Sequence, residues 1–314
     1  MMCFVSYRRE HQQQMQTSDQ FQILVSPWTC PRCSFENTEH YYMCGSCSHE
    51  EEEFHLQKEL NEAYKLEDKF AKLERHFGRT SKILLPVVSC FDEHHFRETI
   101  DMLYPFYERQ DIQGIWLINT NCSVETLETV AMWIHETYPN LWVGINILGY
   151  NLFEVTQFMY NYSTVFKGLW VDNPQITAEG PYQNVPEIVA SLFHQASWDG
   201  LYFGGTLFKY IRVSKDINQQ NALCVNSIPY MDVITTSGDG TGIAISTEKI
   251  QRVHSLVHDQ RPVGLASGVT AENIDSVKDF TDVYIVGTYF YCGDTYNISE
   301  EKLAILSRKI NEEA

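Results

Sequence analysis

Four cysteines with the spacing of metal ligands lie near the N-terminus of this 314-residue chain. They are Cys30, Cys33, Cys44 and Cys47, in the pattern C-x2-C-x10-C-x2-C. Two such pairs of thiolates supply the four ligands of a tetrahedral Zn²⁺ site. The surrounding residues include too few apolar side chains to fold alone, so metal binding, at about 10–16 kcal/mol, would provide most of their stability. The spacing therefore predicts one structural zinc ion per chain.

The residues around these cysteines indicate the class of zinc finger. Trp28 precedes the first pair, and Phe35 and Asn37 follow it, which gives W-x-C-x2-C-x-F-x-N-x6-C-x2-C. This pattern resembles the Ran-binding-protein (nuclear pore) class, whose members bind ubiquitin or single-stranded RNA and are not catalysts. The resemblance implies that Ser34 and Phe35 contact ubiquitin or another protein. RNA is disfavoured because Arg32 is the only Lys or Arg within the pattern, and phosphate contacts need basic side chains.

The overall composition limits the classes of partner. The chain has 41 acidic and 23 basic side chains, a formal net charge of −18, which repels nucleic acid and anionic membrane surfaces. It contains no run of about 18 apolar residues, so we expect no membrane-spanning helix. The other five cysteines lack the spacing of a disulfide framework. They suggest reduced thiols and a location in the cytoplasm or nucleus.

The chain divides into four predicted segments. These are a disordered tail at residues 1–25, the zinc finger at 26–49, an amphipathic linker helix at 50–79 and a large domain at 80–314. The linker helix is predicted from apolar residues that recur at steps of three and four: Leu56, Leu60, Ala63, Leu66, Phe70, Leu73 and Phe77. Gly78 is expected to end it. A short coiled coil for dimerisation is the alternative use of this helix.

The large domain alternates short β-rich runs with helical stretches. The predicted strands are Ile83–Ser89, Gly114–Asn119, Trp142–Leu148, Gly168–Asp172, Gly200–Phe203, Met231–Thr236, Val263–Ala266 and Val283–Val286. The predicted helices include Phe96–Glu108, Val124–Tyr138, Leu152–Tyr160, Val185–Ala196, Thr247–His258 and Ala271–Asp279. This alternation predicts an α/β fold, a (β/α)8 TIM barrel. A doubly wound open sheet is the alternative, but its glycine-rich first turn is absent.

The ends of the predicted strands carry the residues suited to catalysis, because the active site of such a barrel lies there. Asp172 could act as a general base, hold ribose hydroxyls or bind a divalent metal. Lys209 could neutralise a phosphate or serve as an amine nucleophile. The alternatives are a turn at Asp172, which Pro174 would favour, and a surface ion pair at Lys209. The amides expected to orient a sugar or base are those of Asn119, Asn146 and Asn173.

Glycines and hydroxyls follow the last three strands and predict a phosphate site. The predicted phosphate-binding residues are Gly238, Gly240, Ser267, Gly268, Gly287 and Thr288. Glycines let backbone N–H groups approach an anion, and a helix beginning at Ala271 would point its N-terminus at it. Thr236, Ser237 and Asp239 would contact the substrate. Asp239 could hold a metal that bridges the phosphate, or its charge could mean that the loop no longer binds an anion.

Two segments resemble known phosphate-binding barrels. Gly-Leu-Ala-Ser-Gly-Val-Thr-Ala-Glu-Asn-Ile (264–274) and Asp-Val-Tyr-Ile-Val-Gly-Thr (282–288) resemble the end of BtpA-like and wider ribulose-phosphate-binding barrels. Other segments are similar to barrels described as phosphoribosyltransferase-like: 116–120, 142–148, 168–173, 201–209 and 230–242. The resemblance implies a barrel that binds phosphate, and says little about the reaction.

Two hypotheses of function follow. In the first, the chain is an enzyme, a transferase, lyase or hydrolase, that acts on a phosphorylated or ribosylated small molecule and is recruited by its finger. In the second, the barrel is an inactive scaffold or sensor, and the finger binds ubiquitin or another protein.

The zinc prediction is tested by elemental analysis of the purified chain. We expect about one zinc per chain, and none after replacement of Cys30 and Cys33 by serine. Cys292→Ser is the control and should keep the metal, because Cys292 lies outside the pattern. A zinc-free wild-type protein purified without chelator would contradict the prediction.

Overall fold

The computed structural model describes residues 67–312, apart from 183–184 and 195–197, and two short strands nearer the N-terminus. Contacts divide the chain into two compact units, Met1–Leu56 and Gln57–Ala314. In the first unit Trp28–Thr29 pairs antiparallel with Glu36–Asn37. Several predictions lie outside the described residues: the tail at 1–25, the zinc ligands Cys30, Cys33, Cys44 and Cys47, and the predicted partner contacts Ser34 and Phe35.

Eight parallel strands close into a barrel in the second unit. They are β1 Ile83–Val88, β2 Ile115–Ile118, β3 Val143–Asn146, β4 Gly168–Val171, β5 Leu201–Gly205, β6 Val233–Thr236, β7 Val263–Ala266 and β8 Val283–Val286. Each strand pairs with the next along the chain, and β8 pairs with β1 to complete the ring. The predicted (β/α)8 TIM barrel is confirmed, and β7 and β8 have the predicted bounds.

Helices surround the barrel, and side-chain caps fix the ends of most of them. They are α1 Lys69–Phe77, α2 Glu93–Glu108, α3 Val124–Thr137, α4 Leu152–Tyr162, α5 Val185–His194, α6 Ile217–Ser227, α7 Thr247–Val257 and α8 Glu300–Asn311. Asn151 and Glu154 form a capping box at the start of α4, which fixes the loop after β3. None of the described helices is both long and apolar enough to cross a membrane.

The connection between β7 and β8 differs from the prediction. In place of a helix over Ala271–Asp279, the chain makes two short 3₁₀ turns at Ile274–Ser276 and Lys278–Phe280. The Asn273 side chain explains the difference, because its Oδ1 accepts from the Thr270 amide at 2.9 Å and its Nδ2 donates to the Gly268 carbonyl at 2.6 Å. Such local bonds from an asparagine compete with helical backbone bonds. No helix N-terminus therefore points at the predicted phosphate site from Ala271.

Tryptophans fill the interior of the barrel. Trp116, Trp142 and Trp170 are buried there, and glycines on neighbouring strands make room for the indoles. A Cβ atom at Gly144 would lie 2.3 Å from Cζ3 of Trp116, and one at Gly168 would lie 2.3 Å from Cη2 of Trp142. Interiors packed to this density leave no space for a ligand. A site can therefore form only above this layer, at the carboxyl ends of the strands.

Helix α1 closes the opposite end of the barrel. It begins at Lys69, because Asp68 has extended backbone and its side chain accepts from the amides of Phe70 and Ala71. Residues 50–66 of the predicted linker helix lie outside the described residues. At Asp68 the backbone is extended and not helical, and the expected end at Gly78 is confirmed. The apolar face of α1 packs into the barrel interior through Leu73 and Phe77. In the described part of the helix that face is therefore used within the chain, not in a coiled coil.

A buried ionic cluster holds α1 in this position. Lys69 Nζ lies 3.2 Å from Asp232 Oδ1, and Lys72 Nζ lies 3.0 Å from Asp232 Oδ2. Asp232 precedes β6 and also accepts from the Tyr202 amide at 2.7 Å. Burial alone would raise the pKa of Asp232, but the charges of Lys72 and Lys69 hold it below the usual value. The folded chain therefore favours the ionised carboxylate of Asp232.

Replacing Asp232 by asparagine tests this cluster. The change keeps the shape but removes the buried carboxylate that Lys69 and Lys72 share, and the other carboxylate at Lys69, that of Glu67, is partly exposed. We therefore expect a loss of about 3–5 kcal/mol in the free energy of unfolding at pH 7. Because the pKa is lowered, this contribution should fade as the pH falls below the ordinary aspartate value of about 3.9. Asp275→Asn, in an exposed ion pair with Lys278, should change stability by less than about 1 kcal/mol. Equal effects in urea denaturation would contradict the role of Asp232.

Candidate active site at the carboxyl ends of the strands

Two predicted residues meet at the carboxyl ends of β3 and β4. Asn146 is the last residue of β3, and Asp172 directly follows β4, its neighbour in the barrel. Asn146 Nδ2 donates to the Trp170 carbonyl at 2.9 Å and to Asp172 Oδ1 at 3.3 Å. The Asn146 side chain is 3% exposed, and no hydrogen bond reaches its Oδ1 within the described part of the chain. The contact orients the Asp172 carboxylate and leaves one amide oxygen unpaired.

A cavity of about 300 Å³ opens beside this pair. Its lining consists of Asn146, Ile147, Leu148, Gly149, Tyr150, Asn151, Val155, Trp170, Val171, Asp172, Asn173 and Gln175. Apolar and aromatic side chains share the wall with polar groups from the ends of the strands and the loops after them. Asp172 is the only charged side chain in this lining. A cavity with these properties is the usual form of a small-molecule site.

Lys209 adds a positive charge near Asp172. It lies in the loop after β5, with Nζ 5.6 Å from the centre of the Phe208 ring. Burial raises the pKa of Asp172, and the Lys209 charge and the Asn146 hydrogen bond oppose that rise. Burial lowers the pKa of Lys209, and the Asp172 charge opposes that change. Both groups are thus shifted towards their neutral forms, as acids and bases of active sites often are.

Glycine at the end of β5 lets these elements approach one another. A Cβ atom at Gly205 would lie only 2.0 Å from the Asp172 carbonyl oxygen. Because the obstacle is a backbone atom, a larger residue could enter only if one of the two strands moved. Sequence reasoning did not identify Gly205, although a Gly-Gly pair at a strand end is a sign of close backbone approach.

The other two predicted asparagines have different surroundings. Asn119 Oδ1 accepts from the Leu148 amide at 2.7 Å, and Asn119 Nδ2 donates to the Leu148 carbonyl at 3.3 Å. Both ends of this amide therefore hold the loop after β3, and Asn119 does not line the cavity. Asn173 lines it, while its Oδ1 accepts from the Gln175 amide at 3.0 Å. Asn146 and Asn173 therefore line the cavity, whereas Asn119 holds the backbone of Leu148, which is part of the cavity wall.

The predicted residues at the end of β6 and in the loop after it have different surroundings. Ser237 is fully buried; its Oγ accepts from the Lys209 amide at 2.8 Å and donates to the Gly238 carbonyl at 2.9 Å. Thr236 is also fully buried. Asp239 is exposed, and its charge acts on Lys249, whose Nζ donates to the Ser237 carbonyl at 2.7 Å. Ser237 thus positions the Lys209 backbone.

The predicted phosphate-binding residues gather at the other side of the barrel mouth. Ser267 Oγ accepts from the Gly242 amide at 2.8 Å, and a Cβ atom at Gly242 would lie 3.2 Å from Thr288 Cγ2. The loops after β6, β7 and β8 therefore meet. The space beside Gly268 is occupied by the chain, since a Cβ atom there would lie 2.1 Å from the Ile243 carbonyl oxygen. Thr288 is exposed and Gly287 is half-buried.

A divalent metal in the barrel stays a prediction. Across residues 67–312, as far as they are described, no three side chains of His, Cys, Asp and Glu come together. In the cavity Asp172 would be the one carboxylate ligand, so a metal there would depend on the substrate for further oxygen ligands.

Comparisons with known proteins identify the fold. No protein-family model and no curated protein matches the chain. Among solved structures, native KDPGal is 10% identical over 72% of this chain and 92% of its own, with a TM-score of 0.50. KGPDC from Streptococcus mutans is 8% identical over 72% and 96%, with a TM-score of 0.50. The tryptophan synthase alpha chain from Legionella pneumophila subsp. pneumophila is 12% identical over 78% and 98%, also at 0.50. At these identities the likeness concerns architecture: the chain has the fold of (β/α)8 barrels.

Proposed function

We propose that the barrel is an enzyme that binds a phosphorylated or ribosylated small molecule at the carboxyl ends of its strands. The Asp172 carboxylate in the cavity wall, within reach of the Lys209 charge, carries this proposal. Both groups are partly withdrawn from water, Asp172 lines the cavity, and their pKa values are shifted in opposite directions. Such a pair costs stability and is typical of sites that transfer protons. The solved structures of the same architecture include a synthase chain, which agrees with an enzymatic role.

The chemistry of the pair suits general acid–base catalysis. An ionised Asp172 with a raised pKa is a stronger base than an exposed aspartate, so it can accept a proton from a substrate carbon or hydroxyl. Lys209 with a lowered pKa gives up a proton more readily, and its cationic form can hold an oxyanion or phosphate oxygen. In its neutral form the same amine could attack a carbonyl group. These roles fit a lyase, a transferase or a hydrolase.

The phosphate group would bind where the loops after β6, β7 and β8 meet. Gly242 and Gly268 have positive φ angles of 75° each, and such glycines let backbone amides turn towards an anion. The exposed Thr288 beside Gly242 adds a hydroxyl. One observation favours the alternative scaffold or sensor: the Ile243 carbonyl fills the space beside Gly268, and a carbonyl oxygen repels phosphate. The finger at 26–49 remains a proposal from cysteine spacing, with ubiquitin or another protein as its partner.

Asp172→Asn tests whether the ionised Asp172 carboxylate lowers the free energy of unfolding. Because the folded chain raises this pKa, the ionised form destabilises it, and the penalty is present at pH 7 and absent below about pH 3.9. We expect the variant to melt higher than wild type at pH 7, with the gain shrinking as the pH falls towards 4. Each kcal/mol corresponds to about 2–4 °C in a domain of this size. Asp275→Asn should show no such trend, and a variant that melts lower at pH 7 would indicate a structural role.

A ligand screen by thermal shift tests the phosphate site. Phosphorylated sugars, nucleotides and inorganic phosphate are added to the full chain; a ligand at 100 times its Kd stabilises by about 2.7 kcal/mol. Thr288→Glu should abolish the shift, since it places a negative charge beside the proposed anion. Thr137→Glu, an exposed change at the end of α3, should keep it. No shift with any phosphorylated compound would favour the scaffold or sensor.

A further inference from the structure

The two polar side chains where β3 and β4 end, Asn146 and Asp172, offer hydrogen-bond acceptors to a ligand in the β3–β4 cavity. Asn146 donates both of its described bonds from Nδ2, to the Trp170 carbonyl and to Asp172 Oδ1. What remains on Asn146 is Oδ1, an unpaired acceptor on a side chain that is 3% exposed. An ionised Asp172 offers only acceptors as well. A ligand that fits here must bring at least two hydrogen-bond donors, because an unpaired buried acceptor is costly.

The positive charge nearby decides which kind of donor fits. The Lys209 charge already acts on Asp172, so a second ammonium or guanidinium group would be repelled by a cation that is already present. Neutral donors meet no such repulsion. Two hydroxyls on neighbouring carbons offer two donors at one place, matched to acceptors on adjacent strands. An acidic side chain that binds ribose hydroxyls is the arrangement used by dinucleotide-binding α/β proteins.

Size and shape of the cavity agree with a sugar. A cavity of about 300 Å³ lies at the lower end of the range for small-molecule sites. The buried Trp170 and the partly exposed Tyr150 line it, and aromatic rings pack well against the C–H face of a sugar. No basic side chain lines the cavity, so it offers a phosphate no counter-charge in its wall. The phosphate site proposed above lies on the other side of the mouth.

We infer that this cavity binds a sugar with a vicinal diol, of the ribose type, through Asp172 and Asn146. The inference rests on the proposed function and deepens it by naming the group that is recognised. One hydroxyl donates to the Asp172 carboxylate and its neighbour to Asn146 Oδ1. Trp170 and Tyr150 form the apolar wall. The phosphate or other substituent of the substrate lies outside the cavity, towards Lys209 and the loops after β6 to β8.

Matched pairs of ligands test the diol directly. Ribose 5-phosphate is compared with 2-deoxyribose 5-phosphate, and AMP with dAMP, by calorimetry on the full wild-type chain. Each deoxy compound lacks one hydroxyl of the diol and is otherwise the same. We expect it to bind at least about tenfold more weakly, since it leaves a buried acceptor unpaired.

Asp172→Asn tests the assignment to this carboxylate. The amide loses the charge and one acceptor, so the preference for the ribo compound should fall towards one. Asp275→Asn, exposed and outside the cavity lining, should keep the wild-type preference. If Asp172→Asn does not fold, the ligand pairs on the wild-type chain still decide the matter.

The possible failures can be distinguished. Equal binding of ribo and deoxy compounds would overturn the diol and leave the proposed phosphate site intact. If no phosphorylated compound binds but free ribose binds better than free 2-deoxyribose, the diol stands and the phosphate site falls. If nothing binds to a chain that is folded by circular dichroism, both are overturned.

Discussion

The packing of three tryptophans inside the barrel is the constraint on which the rest of this structure depends. Trp116 and Trp142 need glycine at Gly144 and Gly168, because a Cβ atom there would overlap an indole ring, and Trp170 packs edge-to-face on Trp116. Once the rings are in place, the interior is filled and side chains can meet a ligand only above them. Asp172 follows Trp170 by two residues, so by the alternation of a strand it points to the same side, one level nearer the mouth. The site therefore lies above the layer of tryptophan rings.

Each end of the barrel holds an aspartate near lysine, but the pKa of the carboxyl group is lowered at one end and raised at the other. At the closed end, Asp232 contacts two lysines at 3.0 and 3.2 Å, and this direct pairing outweighs burial and lowers the pKa of the carboxyl. At the open end, the Lys209 charge reduces the effect of burial on Asp172 without outweighing it, so that pKa is raised. Distance and direct pairing, not residue type, decide whether such a group stabilises the fold or remains available for chemistry.

Much of the fold could be predicted from the sequence, and less of the site. The strands are short apolar runs whose bounds follow from local composition, and Asp172 was found because it follows such a run. The helix predicted after β7 does not form, because the Asn273 side chain makes hydrogen bonds to nearby backbone. Asn119 and Ser237 are polar residues at strand ends. The sequence could not show that their side-chain oxygens accept hydrogen bonds from backbone amides of other loops. The buried lysines of α1 were missed because lysines on a helix usually face water.

Closure of one barrel end by α1 has a consequence for the order in which the chain folds. This helix is synthesised before any strand of the barrel, yet the carboxylate that neutralises Lys72 lies 160 residues further along the chain. Until β6 and its preceding residue have been made, the buried carboxylate that Lys69 and Lys72 share is missing, and burying both ammonium groups is costly. The closed end of the barrel can therefore be sealed only late, after most βα units exist. Contacts of such long separation slow folding, so we expect closure by α1 to be among the last events in forming the native state.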